Sequence, residues 1–260
     1  MSIFLADVPE HLKLDNQQSS AENTQLIKAV ASSSAHGVEQ ALKKGAKVNY
    51  FFRPDDQKAA LHIAAENGSE EIAKLLIKSG AVVDIISITT GSTPLLFAAA
   101  NLHAKCAQLL LSEGANPTAQ NSYGNTPLHL ALKESTKSNT QCVDLLLPLI
   151  NEESINIQNN QGSTILHMAC HSDSLPIGVV RTLLSKGIDI HCRDKKGRPA
   201  LLSCCASGRF DILQLLLEKG ADPTVKDDSG MDGAAVCEFH GFIEMANKYF
   251  GADSPYKRLA

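Results

Sequence analysis

Two short phrases return together along this chain, and their spacing constrains the fold more than any other feature. The first reads Gly91-Ser-Thr-Pro-Leu, Gly124-Asn-Thr-Pro-Leu-His and Gly162-Ser-Thr-Ile-Leu-His. Lys58-Ala-Ala-Leu-His-Ile-Ala-Ala shares its ending, and Gly197-Arg-Pro-Ala-Leu-Leu is a weaker copy. The marker leucines are Leu61, Leu95, Leu128, Leu166 and Leu201, so the intervals are 34, 33, 38 and 35 residues. The second phrase follows as Leu75-Leu-Ile-Lys-Ser-Gly-Ala, Leu109-Leu-Leu-Ser-Glu-Gly-Ala-Asn, Leu183-Leu-Ser-Lys-Gly-Ile-Asp and Leu215-Leu-Leu-Glu-Lys-Gly-Ala-Asp. A period of this length marks a stacked array, because one such unit cannot bury its apolar face alone.

Each phrase has a local physical meaning. Thr before Pro supplies a helix N-cap, with Pro at the first helical position, where its missing N–H costs nothing. The Ala-rich run that follows predicts a helix lined with small residues, which lets a neighbour approach closely. The Leu run ends a second helix on its buried side, and the Gly after it is a cap able to adopt positive φ. A polar stretch then leads to the next Thr-Pro. The unit is helix, turn, helix, extended loop.

This pattern resembles the ankyrin repeat, whose period is about 33 residues and whose signature is Thr-Pro-Leu-His. The resemblance implies an all-α solenoid of helix-turn-helix units joined by β-hairpin-like loop fingers, over residues 23–251. Leu26, Ala29, Val38, Leu42 and Gly45-Ala46 fit a degenerate first unit. Gly230, Cys237, Gly241, Met245 and Phe250 fit a degenerate last one, with Ala234 in the Leu position. Seven units are expected, the outer two acting as caps, with residues 1–22 and 252–260 as tails. The fourth unit departs from the pattern at Glu134–Thr140 and lacks the closing Gly-Ala. The fifth carries His171–Pro176 between its helices, and the first finger, Asn49 to Lys58, is about two residues longer than the family pattern.

Composition narrows the function. A net charge of −4 argues against a globally basic nucleic-acid binder, so nucleic acid is a disfavoured partner. The seven cysteines follow no disulfide framework, and five fall within apolar stretches, which points to a reducing compartment: cytoplasm, nucleus or a host-cell cytosol. The start of the chain is a poor signal peptide, and no 18-residue apolar run spans a membrane. The protein is therefore expected to be soluble and intracellular, and a monomer on its own.

Candidate chemistry is absorbed by the repeat. His62, His129 and His167 share one repeat position, and the resemblance implies that each ties its loop to the neighbouring unit. Units about 10 Å apart cannot share a metal ion with bonds near 2 Å. Cys170, Cys204, Cys205 and Cys237 replace the alanines of the Ala-Ala pair and read as small buried hydrophobes. A cysteine nucleophile around Cys142 or Cys170 is the residual enzymatic reading. No phosphate loop or catalytic motif is present, and no metal or cofactor is expected. Asn121, Asn159, Asp194 and Asp227 recur at one loop position as turn formers.

The expected function is binding of another protein or peptide, as an adaptor, scaffold or inhibitor. A bacterial effector that seizes a host protein through the same surface is the alternative. In the resembled family, specificity lies on the concave face, at the finger positions that depart from consensus. The first finger is aromatic and basic: Tyr50, Phe51, Phe52, Arg53. The second is aliphatic, with Ile86 and Ile88 on one face of an extended segment. The third contributes Tyr123, and the fifth is basic, with Arg193, Lys195, Lys196 and Arg198. A peptide with apolar anchors at one end and acidic residues at the other would complement this gradient.

Overall fold

The computed structural model describes residues 20–52, 57–136, 139–172, 175–252 and 254–258. Among these, fourteen helices form seven consecutive pairs. The pairs are α1 Ala21–Ala31 with α2 Ala35–Lys43, α3 Ala60–Glu66 with α4 Glu70–Lys78, and α5 Pro94–Ala100 with α6 Ala104–Ser112. Next come α7 Pro127–Glu134 with α8 Gln141–Leu146, and α9 Ile165–His171 with α10 Ile177–Ser185. The last two are α11 Ala200–Ser207 with α12 Phe210–Glu218 and α13 Gly233–Phe239 with α14 Ile243–Phe250. First helices stack on first helices from α1 through α13, and second helices on second helices from α2 to α8 and from α10 to α12, so the chain is a two-layered solenoid.

The repeated phrases do what their chemistry predicts. Thr93 and Thr126 are extended N-caps with Pro94 and Pro127 immediately inside the helix. The Ala-Ala positions are buried from unit two to unit six, including Ala64 and Ala65, Ala98 and Ala99, and Cys204 and Cys205 in the same register. Leu76, Leu110, Leu146, Leu183 and Leu216 are fully buried, one per unit. Each such burial contributes roughly 1.5–3 kcal/mol, so the core is a row of equal contributions rather than one centre. The second helices of units two, three, five and six are closed by Gly80, Gly114, Gly187 and Gly220, with φ between +81° and +90°.

The two irregular middle units are closed by other means. Without its Gly, the fourth ends in a 3-10 turn, Leu147–Leu149, and the Ile150 carbonyl accepts from Lys186 Nζ of the fifth unit at 3.0 Å. The enlarged turn of the fifth is held by Arg209 of the sixth. Its guanidinium donates to the carbonyls of Ser172 and Leu175 and forms a two-pronged ion pair with Asp211.

At the ends, α1 starts at Ala21, two residues before the expected boundary, capped by the Ser20 hydroxyl. Residues 254–258 were expected in a tail. Instead Ser254 is buried, its hydroxyl donates to the Tyr249 carbonyl at 2.6 Å, and the rings of Tyr249 and Tyr256 lie 6.1 Å apart. Tyr256 packs against the core beside α14.

Candidate protein-interaction surface

The fingers leave the second helix of one unit and return to the first helix of the next. In the first, β1 Phe51–Phe52 pairs antiparallel with β2 Lys58–Ala59. The fifth and sixth are reduced to single antiparallel bridges, Arg193 with Pro199 and Lys226 with Asp232. One recurring side chain shapes each turn. Asn121 Oδ1 accepts from the amides of Tyr123 and Asn125, and Asn159 Oδ1 from those of Gln161 and Ser163. Asp194 and Asp227 do the same two and four residues ahead.

Adjacent fingers are then zipped by one backbone bond each. The amides of Ile88, Ser122, Asn160, Lys195 and Asp228 donate to the carbonyls of Gln57, Thr90, Tyr123, Gln161 and Lys196. This closeness requires glycine. At Gly162, φ is +76° and a Cβ would lie 2.8 Å from the Lys195 nitrogen. A second, side-chain ladder runs beside the first. Gln120 Nε2 donates to the carbonyls of Gly124 and Gln158, and Gln158 Nε2 to those of Gly162 and Arg193. Arg193 Nη1 continues the series to Gly197 and Lys226.

The histidines fasten fingers to helices. His62 Nδ1 accepts from the Ala59 amide, and Nε2–H is shared between the carbonyls of Ile85 and Ser92 at 2.9 and 3.0 Å. His129 and His167 accept from Thr126 and Thr164 and donate to the carbonyls of Ser163 and Arg198. Carbonyls only accept, so each ring is the neutral Nε2–H tautomer with both nitrogens engaged. Burial pushes His62 and His129 down to about 4, and His167 down as well. Burial also pushes the Cys106 and Cys142 thiols up to about 11 and those of Cys204 and Cys205 higher still; for Cys205, contact with Cys237 is the larger cause. A nucleophilic cysteine needs the opposite shift, and Cys170 is likewise buried.

The predicted binding residues separate into three groups. Arg193 belongs to the ladder, and Arg198 holds Asp194 through Nε and Nη2 at 3.0 and 2.7 Å. Burial opposes ionisation of Asp194, but Arg198 and two backbone amides outweigh it and hold the carboxyl below its usual range. Phe51 is half-buried with its ring 6.4 Å from that of His62, and Tyr50 is half-buried beside it. The Phe52 side chain and Arg53 lie outside the described residues. The third group is free: Ile86 is 58% exposed, Ile88 42% and Tyr123 63%, and Lys195 and Lys196 are exposed. Sequence reasoning missed the ladder and the Arg209 clamp. The ladder was visible as a donor four residues before each finger glycine, at Gln120, Gln158 and Arg193.

A family model described as ankyrin repeats (three copies) matches residues 4–87, 83–150 and 135–227. Human transient receptor potential cation channel subfamily A member 1 is 24% identical over 80% of this chain and 25% of its own length. The mouse B-cell lymphoma 3 protein homolog is 28% identical over 78% of the chain and 46% of its own length. The chain thus spans less than half the length of these relatives. Among solved structures, the ankyrin repeat domain of Bcl-3 superposes with a TM-score of 0.66 over 85% of this chain and 96% of that one. That of human ASB11 superposes with a TM-score of 0.69 over 85% and 95%. Both are 22% identical in sequence and show the fold. The stacked helix pairs, the zipped fingers and the family match together make this chain a member of the ankyrin-repeat family.

Proposed function

We propose that this protein binds a partner protein through its finger tips and the adjoining first helices, acting as an adaptor, scaffold or inhibitor rather than as a catalyst. One observation carries the reading. Ile86 occupies the ladder position held by Gln120, Gln158 and Arg193 in later fingers, yet its side chain has no donor and stands exposed beside Ile88. A structural donor has been replaced by an aliphatic group facing water. Aliphatic and aromatic side chains held on a rigid frame are the usual anchors of an interface, and Tyr123 on the next finger extends the patch. First-helix residues Ile63, Phe97, Leu130 and Met168, in one register and each half-buried, continue it across units two to five. Exposed Lys195 and Lys196 end the surface with positive charge, which favours a partner segment with apolar residues followed by acidic ones.

Ankyrin repeats serve as binding modules, and the buried thiols and engaged histidines support a non-catalytic protein of a reducing compartment. The test is affinity purification from the native cell with wild type and an Ile86→Asp/Ile88→Asp/Tyr123→Ala variant of unchanged melting temperature. Loss of the specific partners from the variant is expected. An unchanged partner set would overturn the finger-tip assignment.

A further inference from the structure

The edge of the solenoid opposite the fingers carries a second apolar feature, found among the described residues in its last two units. First helices run from the finger to a helix–helix turn, and for most of the array that turn is polar: Ser32–Ser34, Asn67–Ser69, Asn101–His103. In the sixth and seventh units it becomes aromatic. Phe239, the last residue of α13, is 79% exposed, and Ile243, the first of α14, is 59% exposed. Phe210 opens α12, also exposed, and meets Phe242 edge-on with ring centroids 6.2 Å apart. Gly208 makes room for this pair, since a Cβ there would fall 2.6 Å from the Phe242 ring. The ring pair is built in.

Charge identifies what such a shelf fits. The segment reads Glu238-Phe-His-Gly-Phe-Ile-Glu244, with an exposed carboxylate on each side of the apolar residues. Among the described side chains, two cations of these units are engaged elsewhere. Arg209 is bound to Asp211 and the fifth-unit turn, and Lys248 lies over the Tyr249 ring at 4.8 Å. A second copy docking through this same edge would bring like charges together, which disfavours a symmetric dimer here. A seven-residue first helix places this edge about 10 Å from the finger base. It can therefore be occupied while the fingers hold something else.

We propose that the turn edge of units six and seven is a second docking surface, for an amphipathic helical segment of another protein with apolar residues on one face and flanking Lys or Arg. The helix would lay its apolar face on Phe239, Ile243 and the Phe210–Phe242 pair and its cations against Glu238 and Glu244. With both surfaces in use, the chain would bridge two proteins.

Fluorescence anisotropy with three labelled 14-residue peptides tests this: one amphipathic in Leu and Lys, one in Leu and Glu, and one with Ser replacing the Leu of the first. The full chain is expected to bind the Leu/Lys peptide at least tenfold more tightly than either other. A Phe239→Ser/Ile243→Ser variant should lose that preference, and Glu238→Lys/Glu244→Lys should lose it while removing most of the salt dependence. An Ile86→Asp/Ile88→Asp variant should retain it, which separates this proposal from the finger-tip reading. Equal binding of the Leu/Lys and Ser/Lys peptides, or loss in the finger variant alone, would overturn it. So would a dimer in light scattering that the Phe239→Ser/Ile243→Ser variant dissolves, since that would assign the edge to a second copy.

Discussion

The second and fourth fingers share a frame and differ in what their side chains do. In both, a small polar residue shapes the turn, Ser87 in one and Asn159 in the other, and a histidine on the preceding first helix holds the finger's backbone. In the fourth finger, Gln158 then binds the loop to its own glycine carbonyl and to the fifth finger. In the second finger the same position is Ile86, whose aliphatic side chain has no donor and is exposed. The frame is common because it satisfies buried backbone groups. What lies outside the frame is free to vary, so a departure from the ladder marks a residue that the fold does not require.

The largest expected effect falls on the shared frame. His129→Ala removes the partner of the Thr126 hydroxyl and amide and of the Ser163 carbonyl, all buried, and should cost about 3 kcal/mol in urea denaturation. His62→Ala should cost a similar amount. Unequal losses would mean that the two fingers are not held alike. Acid probes the same frame. His62 and His129 titrate near 4 when folded against 6.5 as the ordinary value, so below pH 6.5 the unfolded chain takes up protons that the native rings refuse. Stability, complete above pH 6.5, should fall as the pH drops towards 4, by up to about 3 kcal/mol per ring at roughly 1.4 kcal/mol per unit. The pH slope of the urea midpoint should become shallower in His129→Ala.

Next in size is the fifth finger. Asp194→Ala leaves two loop amides and Arg198 without their acceptor and should cost about 2 kcal/mol. The ladder itself is weaker: Gln158→Ile should cost about 1 kcal/mol, because water replaces its exposed bonds in part. The reciprocal change sharpens the comparison most. Ile86→Gln should leave stability within about 0.5 kcal/mol of wild type while weakening partner binding at least tenfold. A large stability loss would show that Ile86 serves the fold. Smallest of all, Lys195→Glu/Lys196→Glu should leave the melting temperature unchanged and reduce partner affinity in a salt-dependent way.

Much of this molecule was legible before any coordinates. Thr-Pro caps, Ala-Ala pairs, Leu runs and closing glycines are local signals whose chemistry depends on a few neighbours, so their recurrence located the helix pairs. The structural role of His62, His129 and His167 was legible through the resemblance to the ankyrin repeat, which implied that each ties its loop to the neighbouring unit. The basic fifth finger was not: Arg193, Lys195, Lys196 and Arg198 look equivalent in sequence, but the two arginines are bonded within the fold while the two lysines stand exposed. Phe51, too, is turned partly towards His62.

The amino-acid sequence by itself determined the unit and its stacking, because a repeating apolar pattern can be buried only against its neighbours. Tertiary structure alone decided which side chains remain available. Bonds such as Gln158 to Arg193, Lys186 to Ile150 and Arg209 to Ser172 join residues more than thirty positions apart. Whether a donor is satisfied therefore depends on how one unit is set upon the next, and no single unit specifies that.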